Sequence, residues 1–515
     1  MKRRDFIKRS LGGAAISALG ISCTRKIHSG GDGKLPIEGA TANYTRMFPQ
    51  LARPPSVPNS DLERGLEKLG RLMTDDDKDT ENGSLAAGYT YLGQFIDHDL
   101  TFDVTPLALA QPCAESIVNH RSPFLDLDHV YGGGPTVSKF LYRNNPSDLD
   151  KERFLIGPDA KNGLEYDLPR NCEGIALVGD PRNDENLIIA QLHVAFLKFH
   201  NRLLDELGKG SGSNIQSAGP AGATLFEKAR RLATWHYQYI VVNDFLRQLL
   251  DPEVYQGLEL ETRRPAPNEF GSFRIPIEFS VAAFRFGHSM VRNEYPYNTP
   301  QGKVSLSDLL FRTGVGTGAV PVLPPEWKIN WCKFFEIDPV PRASRGIDTK
   351  IANALHGLEH PVLRLFNAPT SDEPRSPTLS GEIPPEKVLP VRTLWRSARM
   401  GLPSGQEVAR AMGLKPVDDA DIAPDYAPHT ETLRFYGFDK DTPLWYYILK
   451  EAELSKMGNR QRLGPVGSRI VANVIMGALR ADPTSYLCVN PAWKPGGGMH
   501  DIGNILFFVD PQVCR

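Results

Sequence analysis

The sequence predicts a mainly α protein: a single large helical domain with long proline-rich loops and little β structure. Three observations carry that expectation. Apolar residues recur at three- and four-residue spacing over several long stretches, the pattern of helices that bury one face. Alternating apolar–polar runs, the mark of half-buried strands, are scarce. The chain holds 42 prolines among 515 residues, and they gather between the helical stretches. A length prior alone would allow about two to four domains. Helices of similar character continue on both sides of every long loop, however, and no internal repeat is visible, so one domain is expected.

Taken in order, the first segment reads as a targeting signal. MKRRDFIKRSLGGAAISALGISC places Arg3 and Arg4 before Phe6, Ile7 and Lys8, then a short apolar run rich in glycine and alanine. Residues 1–23 resemble a twin-arginine export signal, which implies a periplasmic, membrane-anchored or secreted protein. Cys23 ends the run and is a candidate for a lipid anchor, although Gly20, Ile21 and Ser22 fit a lipoprotein cleavage box poorly. Residues 24–60, rich in Pro, Gly and Ser, read as an extended arm, and the main domain is expected over 61–515.

Helices are predicted over Leu85–Leu100, Leu187–Leu207, Thr224–Leu250, Glu278–Val291, Ser404–Met412 and Val466–Arg480, each from its apolar spacing. The fifth opens at SGQE, where Ser404 can cap the helix and Glu407, three residues on, can complete a capping box. The long connections are Lys209–Gly222, Gly314–Pro325 and Ala368–Pro385.

Bulk composition excludes some functions. A formal net charge of −2 gives no support for nucleic-acid binding, which usually shows as a basic excess. No run of 18 apolar residues appears, so no transmembrane helix is expected in the mature chain. Besides Cys23 there are Cys113, Cys172, Cys332, Cys488 and Cys514, with no CxxC pair and therefore no zinc-thiolate site. Five cannot all pair within one chain, and their connectivity is not readable.

Chemistry concentrates in four short motifs. YLGQFIDHDLTFD, Tyr91–Asp103, crowds a glutamine, a histidine and three acids into an otherwise apolar stretch. On a helix Gln94 and His98 share a face, with Asp97 and Asp99 on neighbouring faces. A histidine held this way can shuttle a proton near neutral pH. A His-Asp metal pair of the phosphohydrolase kind needs an upstream histidine, and only His28 lies upstream. SPFLDLDHVYG carries Asp126 and Asp128, hard oxygen ligands spaced as a calcium loop would have them. GDPRNDEN sets Arg182 and Glu185 ahead of a long helix, and FRFGH places His288 among aromatic residues.

In this order, from Gln94 to about Pro403, the motifs resemble the animal-type haem peroxidases and more closely their bacterial relatives. LGPVGSRIVANVIMGALRADP, Leu463–Pro483, is similar to that bacterial branch. The resemblance covers most of the mature chain and implies haem b, with His98 as the distal acid–base residue, Arg182 as the distal arginine and Gln94 beside the halide or water site. It makes His288 the proximal ligand of the haem iron and casts Arg285 and Arg396 as propionate partners. Asp97 and Glu185 match the two carboxylates that the family esterifies to haem. Asn186 stands where one family member has a methionine that forms a third link, so a sulfonium link and strong chloride oxidation are not expected. Asp99, Ser122, Phe124 (through its carbonyl), Asp126 and Asp128 match the family's calcium site. Thr393 stands where the family usually has an asparagine that accepts a hydrogen bond from the proximal imidazole; its hydroxyl can also accept.

Other histidines keep plainer readings. His193 and His200 suit core packing and helix capping, His356 and His360 have ligand-compatible spacing without a partner carboxylate, and His120 and His129 read as loop residues. The implied function is a peroxidase that takes hydrogen peroxide and a small reducing substrate: halide, thiocyanate or a phenol. A haem fatty-acid dioxygenase of the cyclooxygenase-like branch is the rival. That branch carries a radical-forming tyrosine three residues before the proximal histidine, where this chain has Arg285. An exported adhesion or matrix protein that retains the fold is the third reading, set against the presence of His98, Arg182 and His288.

Overall fold

Helices dominate the computed structural model, which describes residues 42–74, 82–105, 114–143, 152–159, 164–210, 223–261, 273–297, 302–313, 323–337, 342–357, 383–425 and 427–514. All of these belong to one compact unit, Glu38–Arg515. The predicted export signal, Cys23, Cys113, His360 and most of the three long connections lie outside the described residues. The compact unit starts well before residue 61, so the end of the predicted arm belongs to the body.

Eight short strands among the described residues are β1 (Ala42–Asn43), β2 (Asn82–Ala86), β3 (Val118–Asn119), β4 (Gly157–Asp159), β5 (Leu164–Asp167), β6 (Glu294–Pro296), β7 (Lys303–Ser305) and β8 (Ala343–Arg345). They form only two-stranded antiparallel pairs: β1 with β3, β2 with β8, β4 with β5, and β6 with β7. Among the described residues no larger sheet competes with the helical core.

The helices that position the site are α1 (Asp61–Leu72), α2 (Gly88–Leu100), α3 (Asp128–Tyr131), α4 (Leu187–Gly208), α5 (Leu225–Ile240), α6 (Gly287–Met290), α7 (Leu389–Arg399), α8 (Gly405–Ala411), α9 (Leu444–Glu453) and α10 (Pro465–Ala481). α2 is shorter than expected at its start, because residues 82–86 pair with β8 instead of coiling. Ala87 N then donates to Arg342 O at 2.7 Å and Gly88 N to Phe334 O at 2.8 Å, which fixes where the helix begins. Gly88 is required there, since a Cβ would collide with the Phe335 ring and the Phe334 carbonyl.

α4 is the buried axis of the body. Asn186 caps it by accepting from Ile189 N at 2.9 Å. It packs against α2 and α5. α5 opens with a capping box of Thr224 and Glu227. The predicted Thr224–Leu250 helix is broken by a π turn, Val241–Phe245, before a last α turn, Leu246–Leu249. The extra residue places Asp244 to accept from Tyr89 Oη at 2.7 Å, Gln248 Nε2 at 2.7 Å and Ile502 N at 3.1 Å. Glu278–Val291 is likewise not one α-helix: a π turn, Glu278–Ala282, and a 3₁₀ turn, Ala283–Phe286, precede α6.

α7 was not predicted. Pro390 is tolerated in its first turn, where no intrahelical N–H is needed. It packs along α1, and the two are joined by a buried pair in which Arg399 Nε and Nη2 donate to Glu63 at 2.8 and 2.9 Å. Trp395 Nε1 adds a bond to Glu63 O at 2.9 Å. The capping box read from SGQE is present in α8. α10 spans one residue more at each end than expected, and its first turn is capped by Glu451, which accepts from Val466 N at 2.9 Å and Gly467 N at 3.3 Å. Cys332 and Cys514 form a disulfide, whereas Cys172 and Cys488 are free.

Candidate active site

α2 presents Thr90, Gln94 and His98 at four-residue intervals, with Gly93, Asp97 and Thr101 one step round, and all of them border a cavity of about 370 Å³. Arg182 and Glu185 reach the same space from the 3₁₀ turn Pro181–Asp184 and its C-terminal end. α6 and the turn before it contribute His288 and Arg285, while α7 contributes Thr393 and Arg396. Residues scattered over three hundred positions of sequence thus meet around one cavity.

The polar wall is tightly bonded. Arg182 is held by Asp180, with Nε and Nη2 donating at 3.1 and 2.8 Å, and Nη2 also donates to His98 O at 3.0 Å. Burial works against the guanidinium charge, but Asp180 outweighs it and raises the pKa further. The guanidinium lies over the Phe102 ring at 4.4 Å. Gln94 Nε2 donates to Glu185 Oε1, and Asn186 Nδ2 donates to Gln94 Oε1 at 3.3 Å. His98 Nε2 lies 3.5 Å from Glu185 Oε1, and its Nδ1 lies 2.9 Å from Asn183 Oδ1. Asp97 accepts from Thr101 Oγ1 at 2.9 Å.

His288 lines the cavity on the side of α6. Burial, then the charges of Arg285 and Arg392, push its pKa down to about 3, so the imidazole is neutral. Its Nδ1 is buried without a partner. The hydrogen bond that Thr393 was expected to accept is therefore not made. The Thr393 hydroxyl donates to Leu389 O at 3.0 Å instead, the usual i−4 back-bond of a threonine inside a helix. Apolar side chains, among them Phe284, Phe286, Met290, Leu306 and Leu355, complete the lining. A neutral imidazole, apolar walls for a flat ring system and cationic groups for carboxylates fit a haem.

Arg285 Nε donates to Ser280 O at 2.9 Å, and burial lowers its pKa. Arg396 pairs with Asp103 and donates to Thr105 O at 3.3 Å. Sequence reasoning missed Arg392, which shares the cavity face of α7 with Arg396, four residues on. Its Nη1 is buried and unpartnered, and burial followed by Arg285 and Arg396 pushes its pKa down to about 10. The four-residue spacing of the two arginines, which puts both on one helix face, was the signal available.

A second cluster sits behind α2. Asp99 accepts from Leu127 N at 3.3 Å, Asp126 from Asp128 N at 3.1 Å, and Asp128 from Ser122 N at 3.0 Å. The Ser122 hydroxyl accepts from Phe124 N at 3.3 Å in the same turn. Burial, then the neighbouring Asp128, drives the pKa of Asp99 and of Asp126 well up, the response of buried carboxylates crowded together. The donor set is hard oxygen and fits calcium. His129 is not the expected loop residue: it lies fully buried in α3, 2.8 Å from Asp99 Oδ1 through Nδ1. Burial pushes its pKa down to about 3, so the ring is neutral, and its Nδ1 shares a hydrogen bond with Asp99 Oδ1. His193 and His200 do not pair: His193 Nδ1 meets Asn183 at 2.9 Å and His200 Nδ1 meets Tyr131 Oη at 3.0 Å.

Comparison with known proteins adds lineage to geometry. The family model described as animal haem peroxidase matches residues 109–319. A peroxidase-like protein of Margaritifera margaritifera is 27% identical over 274 residues, covering 50% of this chain and 33% of the relative. The chain therefore spans about a third of that relative's length. Among solved structures, peroxidase A from Dictyostelium discoideum superposes with a TM-score of 0.55 at 17% identity, covering 86% of this chain and 88% of the other. A fatty acid alpha-dioxygenase of Arabidopsis thaliana superposes with a TM-score of 0.59 at 13% identity, covering 90% and 77%. At such identities these two likenesses speak for the fold alone.

Proposed function

The chain belongs to the animal-type haem peroxidase superfamily, and on that premise we propose that it uses hydrogen peroxide to oxidise small donors: halide, thiocyanate or phenols. The observation that carries this reading is the meeting of His98, Arg182 and His288 around one cavity with Asp97 and Glu185 on its rim. A haem b bound there through His288 would supply the iron and the redox capacity that peroxide chemistry needs. The protein's own part is acid–base and electrostatic. His98 Nε2 takes a proton from peroxide and returns it to the departing oxygen. Arg182, pinned by Asp180, faces the negative charge that develops on the peroxide oxygens. Gln94 orients water or a halide beside them.

Arg285 and Arg396 take the propionates, and Asp97 and Glu185 are the groups for ester links to the haem. The carboxylates of Asp99, Asp126 and Asp128, with Ser122 and the Phe124 carbonyl, hold calcium and tie its loop to the helix that carries His98. Export by the twin-arginine route to the periplasm or cell surface, with Cys23 as a lipid-anchor candidate, completes the proposal. The dioxygenase reading is disfavoured because Arg285 occupies the place of the radical-forming tyrosine.

The test is direct. The protein is purified with haem, treated with peroxide, and run on a denaturing gel stained for haem. Haem should travel with the polypeptide, and should be lost from it in a double variant, Asp97→Val with Glu185→Gln. Protein made under haem-replete conditions that shows no haem absorbance at all would sink the proposal.

A further inference from the structure

His98 is fixed on its buried side by a residue that the sequence motifs did not single out. Asn183 belongs to the 3₁₀ turn Pro181–Asp184 and is fully buried. Its two amide atoms face two imidazoles: Oδ1 lies 2.9 Å from His98 Nδ1, and Nδ2 lies 2.9 Å from His193 Nδ1. An amide oxygen can only accept and an amide nitrogen can only donate. The first contact therefore needs a proton on His98 Nδ1, and the second needs a lone pair on His193 Nδ1. His193 can offer one, because it is buried in α4 and burial pushes its pKa down to about 3, leaving the ring neutral. With the proton on Nδ1, a neutral His98 keeps its lone pair on Nε2. That is the atom nearest Glu185 on the cavity rim, at 3.5 Å.

We propose that Asn183 is a positioning residue for the peroxide reaction: braced by His193, it locks His98 in the tautomer whose Nε2 can receive a proton from a molecule in the cavity. The inference rests on the proposed peroxidase reading, in which His98 is the base. The other tautomer would aim an N–H at the peroxide and present no lone pair for its proton. The backbone serves the same end. Asp180 accepts from Arg182 N at 2.9 Å, and Asn183 N donates to Asp180 O at 3.0 Å. One short turn thereby aims both the guanidinium and the amide, so the two groups that act on peroxide are set by a single piece of chain.

The experiment uses ferric holoenzyme and stopped-flow kinetics of both peroxide reaction and cyanide binding. Cyanide arrives as HCN and must give up a proton to a base, so its on-rate reports that base without turnover. Asn183→Leu, close in size but unable to accept or donate, should slow both rates by about 10- to 100-fold while the Soret band and haem content stay as in the wild type. Asn183→Asp, which still accepts from Nδ1, should recover most of the loss. Wild-type rates in Asn183→Leu alongside slow rates in His98→Ala overturn the positioning role and leave His98 as the base. Wild-type rates in His98→Ala overturn the base itself, and the role of Asn183 with it. Should Asn183→Leu fail to retain haem, neutron diffraction from wild-type holoenzyme decides: a deuteron on His98 Nδ1 is expected, and one on Nε2 with a bare Nδ1 overturns the proposal.

Discussion

His288 and Thr393 show how one side chain can leave a neighbour unanswered. His288 Nδ1 is buried without a partner, and the Thr393 hydroxyl turns back to its own helix. A hydrogen bond from a ligating imidazole makes it a stronger electron donor to the metal. Thr393→Asn, which puts a longer side chain with an amide acceptor on the same cavity wall, should therefore lower the ferric/ferrous potential in a spectroelectrochemical titration. An unchanged or raised potential would show that the asparagine does not engage the imidazole. At this scale the sequence was informative where chemistry demands rare residue types in a fixed order, as for Gln94, Asp97, His98, Arg182 and His288. It was silent on Asn183 and Arg392, whose parts depend on what packs beside them: a buried amide between two imidazoles, and a guanidinium turned into a cavity.

Among the elements, α4 was readable almost to the residue, since Asn186 caps one end and Lys209 with Gly210 closes the other. The start of α2 was not, because the run Leu85-Ala86-Ala87 suits a strand end as well as a helix, and pairing with β8 decides the matter. α9 escaped notice because it is buried nearly all round and so has no polar face to reveal a period. Its Glu451 carries a testable cost. Burial, against the two backbone N–H groups of α10, pushes its pKa up to about 8. An acid whose pKa is raised by folding binds more protons in the folded state, so stability declines as pH climbs from the ordinary glutamate range toward 8. Urea unfolding of Glu451→Gln should thus show a stability gain over the wild type that is small at pH 5 and larger at pH 8. A gap that does not widen with pH would mean that Glu451 is already ionised in the fold.

For the molecule as a whole, the disulfide ties the segment at Cys332 to the C-terminus across a separation of 182 residues. Closing a loop of that length restricts the unfolded chain and is worth about 2–5 kcal/mol. Noncovalent bonds also hold this junction, with Trp331 N donating to Val513 O at 3.2 Å and Asn330 Nδ2 to Cys514 O at 2.8 Å. Cys332→Ser should accordingly lower the unfolding midpoint without loss of haem, and an unaltered midpoint would show that those bonds suffice.

The segment before α1 is stitched to parts of the chain that are made much later. Arg46 donates to Met400 O at 2.7 Å and to Gly401 O at 3.2 Å. Arg53 engages Glu407 at 2.6 Å and Asp441 at 2.5 Å, while Glu278 accepts from Met47 N at 2.9 Å and Phe48 N at 3.1 Å. Just ahead of these anchors Tyr44 forms part of the cavity wall. A ribosome releases residue 44 long before residues 400 and 441, so this early stretch must wait for its partners, and its contacts are of the long-range kind that form slowly. The side of the cavity that Tyr44 walls is therefore complete only once that seam has closed.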